Sequence, residues 1–78
     1  MSKIEFIRDI QRSFPNSTFS QRVKLADEVF SMYGEPEVLY ESDPFIEGSS
    51  HISYFHNPNH TFGVQWDYYV GFSISLKW

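Results

Sequence analysis

The apolar positions along this 78-residue chain change period once, at Pro36. Before it they recur every three or four residues, as on one face of a helix; after it they alternate, as on one face of a strand. In the first stretch Ile4, Ile7, Ile10 and Phe14 fall at helical spacing, and Pro15 ends the run. Ser2 with Glu5 three residues on has the form of a capping box, in which two side chains satisfy backbone amides that the first turn leaves unbonded. The grammar repeats with Thr18 and Gln21, followed by a stripe of Phe19, Val23, Ala26, Phe30 and Tyr33 widened by Val29. Gly34 suits the left-handed position that closes a helix, and Pro36 prevents its continuation. The spacing therefore predicts helices over about 3–14 and 19–33.

The alternating part predicts strands over about 37–41, 51–56, 60–67 and 69–77, with a loop through Asp43-Pro44 and Gly48-Ser49-Ser50. If Asn57, Pro58 and Asn59 form the hairpin loop, His56 stands opposite His60, Tyr54 opposite Phe62 and Ile52 opposite Val64. That register gives one face to Ile52, Tyr54, Phe62, Val64 and Trp66. The other receives His51, Ser53, Thr61, Gln65 and Asp67, with Phe55 out of place. In the last strand Val70, Phe72, Ile74, Leu76 and Trp78 alternate with Gly71, Ser73, Ser75 and Lys77. The expected fold is α+β: one domain with two N-terminal helices on one face of a three- to four-stranded antiparallel sheet.

Length puts this fold near the lower limit for a core without disulfides or metal, and the chain has no cysteine. Aromatic mass takes their place: eight Phe, five Tyr and two Trp, each able to bury about 150–250 Å². No apolar run approaches the ~20 residues that span a bilayer. The first ten residues carry charges at Lys3, Glu5, Arg8 and Asp9 and do not read as a secretion signal. The expectation is a cytoplasmic protein with no membrane contact.

Charge sharpens the picture. The net charge of −4 is unevenly spread. Residues 1–24 hold five basic side chains against two acids, for +3; residues 25–78 hold eight acids against Lys77 alone, for −7. Seven of those acids, Asp27, Glu28, Glu35, Glu37, Glu41, Asp43 and Glu47, lie between 27 and 47 with no basic residue among them. Such a field attracts a basic partner and repels nucleic acid. It equally describes a solvated face that keeps an aromatic-rich domain in solution.

Candidate chemistry is sparse. Opposed histidines at 56 and 60 would have Cβ atoms about 4.5–5.5 Å apart, close enough to share a metal ion. A third protein ligand is missing, since His51 and Asp67 project to the opposite face in that register. A two-histidine ribonuclease would need a cation to hold phosphate, and the last half of the chain offers only Lys77. No calcium loop, phosphate-binding glycine loop or nucleophile elbow is present. The expectation is a protein without catalysis, cofactor or metal, with a His56–His60 enzyme or metal site as the alternative.

What remains is a surface. Acids interleave with aromatic and apolar side chains in residues 35–48, and Tyr68 and Tyr69 follow Asp67. Interfaces favour aromatic anchors, and acid-rimmed aromatics suit a partner rich in Arg and Lys. The residues expected to bind are Glu35, Glu37, Tyr40, Glu41, Asp43, Phe45, Glu47, Tyr68 and Tyr69. The expected partner is a basic protein surface, such as that of a nuclease or another nucleic-acid-binding complex, with the protein itself a monomer or weak homodimer. Small acidic single domains of this sort include bacterial immunity proteins and phage-encoded inhibitors of host defence, anti-CRISPR proteins among them, a likeness of size and charge only. A third possibility is a structural subunit that assembles through the edge of residues 70–78.

Overall fold

The computed structural model describes residues 1–41 and 52–76, with the backbone alone for residues 38–41. Two helices, α1 (Lys3–Ser13) and α2 (Phe19–Met32), precede strands β1 (Val38–Glu41), β2 (Ile52–His56), β3 (Thr61–Asp67) and β4 (Gly71–Leu76). The strands form one antiparallel sheet in chain order β1-β2-β3-β4, and the helices cover one face of it. The α+β architecture is the one the period change predicts.

Both helices start as their side chains dictate. At α2 the Thr18 hydroxyl accepts from the Gln21 amide at 3.2 Å while the Gln21 side chain accepts from the Thr18 amide at 3.0 Å. At α1 only half of the box forms: Ser2 accepts from the Glu5 amide, but the Glu5 carboxylate turns to the Ser2 hydroxyl instead of the Ser2 amide. Gly34 has φ 84°, the left-handed backbone that closes α2.

The buried faces of the helices are rotated from the expected stripes. Phe6, Ile10 and Phe14 of the first helical segment are buried and Ile4 is exposed; in α2 Arg22, Leu25, Ala26 and Val29 face inward and Phe19 is exposed. A phenylalanine ring removes more apolar area from water than an isoleucine, so Phe6 decides which side of α1 docks. Its ring lies 4.6 Å from that of Phe55 and edge-on to Phe30 at 5.8 Å. Phe55 stacks on Phe62 at 5.5 Å, and Phe62 on Tyr33 at 4.8 Å. Four elements thus meet in one aromatic column.

The β2–β3 hairpin departs from the expected register by one residue. Phe55 pairs with Phe62, Ser53 with Val64, Tyr54 with Gly63 and His56 with Thr61. A slip of one turns every side chain of a strand over. Ser53 and Phe55 therefore join Phe62, Val64 and Trp66 on the helix side, while Ile52, Tyr54 and His56 lie on the other face with Thr61 and Gln65. The cause is the turn. The Asn57 carboxamide oxygen accepts from the Asn59 and His60 amides at 2.9 and 2.7 Å, and the Asn57 amide donates to the His60 carbonyl at 3.0 Å. His60 is consequently inside the turn, with Pro58 in the position where its fixed φ helps a turn form. The Asn57 side chain also donates to the Tyr33 carbonyl and ties the turn to the end of α2.

The last strand matches its alternation in part. Phe72 and Ile74 pack against the core, opposite Trp66 and Val64, while Ser73 and Ser75 are exposed. Val70 lies outside β4, in the turn before it, and is exposed. His51, Lys77 and Trp78 lie outside the described residues.

Arg22 is the unexpected member of the core. It is buried on the inward stripe of α2, where its guanidinium donates to the Ser17 carbonyl and, at 3.1 Å, to the Ser17 hydroxyl. Its Nε has no partner, and it makes no ion pair among the described residues. A buried charge with incomplete bonding costs what its hydrogen bonds return. Arg22→Met is therefore expected to leave stability within about 1 kcal/mol of the original in urea unfolding, since apolar replacements of buried charges are commonly neutral or stabilising. A loss of several kcal/mol would show that the Ser17 bonds, and not the packed methylenes, hold the α1–α2 turn.

Candidate partner-binding surface

The β3–β4 turn presents three consecutive large side chains to solvent: Tyr68 is 74% exposed, Tyr69 91% and Val70 80%. The sequence dictates this shape at both ends. Asp67 Oδ1 accepts from the amides of Tyr69 and Val70 at 2.8 and 3.0 Å, an Asx turn that fixes the backbone beneath the two rings. Gly71 closes the turn at φ 90°, a conformation that side-chain-bearing residues rarely adopt.

The rings form a ladder. Trp66, half-buried on the helix side, meets Tyr68 edge-on at 6.3 Å, and Tyr68 meets Tyr69 edge-on at 5.2 Å. The indole N–H of Trp66 donates to Gln21 Oε1 at 3.1 Å. The same oxygen accepts from the Thr18 amide. Beside the ladder lies a groove of about 130 Å³ bounded by Gln21, Lys24, Leu25, Glu28, Val70 and Phe72. Val70 and the α2 side of this groove escaped sequence reasoning, although Asp67 and Gly71 bracketing Tyr68-Tyr69-Val70 have the form of a turn.

Of the acids expected to share a surface with these rings, Glu35 and Glu37 lie apart from them. Glu35 and Glu37 lie between α2 and β1, where the Glu37 amide donates to the His56 carbonyl at 2.7 Å. Since Val38 pairs with His56 at the opposite end of the sheet from Asp67 and Gly71, these two acids are far from Tyr68 and Tyr69. Glu35 is tied to the α-amino group of Met1 at 2.7 Å, and this hydrogen bond raises the pKa of the amine above its ordinary value. Asp27 pairs with Lys3 at 3.0 Å. For Tyr40 and Glu41 only the backbone is described, and Asp43, Phe45 and Glu47 lie outside the described residues. The chain leaves β1 after Glu41 and re-enters at Ile52 at the end of the sheet that carries the β3–β4 turn.

The two histidines are not cross-strand partners. His56 Nδ1 lies 2.8 Å from the Thr61 hydroxyl, its neighbour across the hairpin. His60, in the turn, sits edge-on to Tyr33 at 6.0 Å with Nδ1 buried and unpartnered. The opposed pair on which a metal or acid–base site would rest is thus replaced by a His–Thr pair. Among the described residues no three His, Asp or Glu side chains converge as metal ligands would.

No helix among the described residues is long and apolar enough to cross a membrane. The chain matches no protein-family model, and no curated protein and no solved structure shows significant similarity to it.

Proposed function

We propose that this protein is a non-catalytic binding module, an inhibitor that covers a basic surface on a nucleic-acid-handling protein such as a nuclease. Its setting would be cytoplasmic, and its mode that of immunity-type or phage anti-defence proteins, including anti-CRISPR proteins: occlusion, with no chemistry of its own. The observation that carries the reading is the β3–β4 turn, where two tyrosines and a valine stand in water on a backbone held by Asp67 and Gly71. Exposed aromatic side chains on a rigid support lose little entropy on binding and are the commonest anchors of interfaces. The excess of acids from Asp27 onward supplies the second requirement, long-range attraction toward Lys- and Arg-rich surfaces.

The test is capture of partners by the immobilised full chain at low and high salt, identified by mass, with Tyr68→Ala/Tyr69→Ala alongside. A stoichiometric basic partner that elutes as salt rises is expected. Each ring should contribute about tenfold in affinity, or about 1.4 kcal/mol, with the melting temperature of the double variant nearly unchanged because both rings are exposed. Reversing Glu37, Glu41 and Asp43 to Lys together should abolish binding and leave the melting temperature nearly unchanged. Equal retention of the partner by the double Tyr variant would remove the aromatic turn from the interface.

A further inference from the structure

We propose that the outer edge of β4 is a pairing site for β4 of a second copy of this chain, joined antiparallel about Ile74. The two edges of the sheet are built differently. β1 has four residues and is bracketed by Glu37 and Glu41. β4 has six, Gly71–Leu76, without a charge, a proline or a break in its pairing to β3, and no described strand lies on its outer side. Short length, charge, proline and bulges are the devices by which edges avoid pairing. The first two act at β1, and none acts between Gly71 and Leu76 of β4.

Self-complementarity selects the occupant. In a two-fold antiparallel pair centred on Ile74, Phe72 stands opposite Leu76 of the second copy, Ser73 opposite Ser75, and Ile74 opposite itself. Apolar meets apolar on the helix side, small hydroxyl meets small hydroxyl on the other, and no like charges meet along the seam despite the net charge of −4. Leu76 is where the monomer leaves this face unfinished. It pairs with the fully buried Phe62 on one side yet is 54% exposed, and the second copy would set Phe72 against its open flank. Five paired residues per copy fall well short of the interface of about 1,200–2,000 Å² typical of stable complexes. The dimer is therefore weak and concentration-dependent. It does not rest on what the β3–β4 turn binds.

The test is the mass of the full chain by light scattering from low micromolar to near-millimolar concentration, expected to rise from 9.2 kDa toward twice that value. Ser73 and Ser75 are exposed and stand directly opposite the uncharged Gln65 and Gly63 of β3, so a charge at either meets no charge straight across that strand. Ser73→Lys/Ser75→Lys places like charges opposite each other across the seam twice and is expected to stay monomeric with an unchanged circular dichroism spectrum. Ser73→Glu/Ser75→Lys places opposite charges there and is expected to restore the twofold mass. For the unaltered chain, amide exchange in β4 should slow as concentration rises while that of Tyr69 does not. A mass of one chain at every concentration, an undiminished dimer in the double-lysine variant, or failure of the Glu/Lys variant to restore it would each overturn the proposal.

Discussion

Phe55→Ala is expected to cost about 3–5 kcal/mol, a large share of the stability of so small a fold. The ring is fully buried and touches α1 through Phe6 and β3 through Phe62, so its removal opens a cavity at the junction of three elements. Neither neighbour can collapse into the space easily, because each is held by a second ring, Phe6 by Phe30 and Phe62 by Tyr33. A chain of this length has a total stability of only about 4–12 kcal/mol. Urea unfolding followed by circular dichroism measures the loss. The experiment also decides the hairpin register: were Phe55 on the solvent face, as a His56–His60 pairing requires, truncation would cost about 0.5 kcal/mol or less.

Gly71→Val is expected to cost about 2–3 kcal/mol by a different route. At φ 90° the backbone is open to glycine and strained for any L-residue, most of all for a β-branched one. Space is not the difficulty, since the nearest atom to a Cβ at this position is Gln21 Nε2 at 3.7 Å. The strain falls on the turn that carries Tyr68 and Tyr69, so partner affinity should fall together with stability. Chemical synthesis with D-alanine at position 71 separates backbone from bulk, because a D-residue favours positive φ; it should match or exceed the glycine protein in stability. If D-alanine and L-valine destabilise equally, crowding and not backbone conformation explains the glycine.

Local rules with short reach were legible in the sequence. The capping box at Thr18 and Gln21, the glycine after α2 and the alternation of Phe72 to Ser75 depend on residues within one or two turns of each other, and the structure contains all three. The hairpin register was not legible, because it depends on whether Asn57 closes a turn around two residues or three. A single side-chain oxygen decides that. Phe55 was the visible symptom, the one large apolar residue left on the wet face by the three-residue loop. The rotation of α1 could not be read from periodicity either: Ile4, Ile7 and Phe6, Ile10 define two overlapping stripes, and the aromatic column across three other elements selects between them. Of the proposed interface, Tyr68 and Tyr69 were recognisable by composition. Their separation from Glu35 and Glu37 follows from strand direction, which no local pattern states.

Gln21 Oε1 accepts both from the Thr18 amide, where α2 begins, and from the Trp66 indole, which supports the aromatic ladder. One atom thus belongs at once to the start of a helix and to the surface proposed to bind a partner, so a substitution at Gln21 alters both together. Glutamate alone among the common residues keeps both acceptor bonds, and it changes the charge beside Lys24. On the proposed function, changes that tune this surface would fall on Tyr68, Tyr69 and Val70 and not on position 21, since those exposed side chains carry no helix and can be exchanged at small cost to the fold.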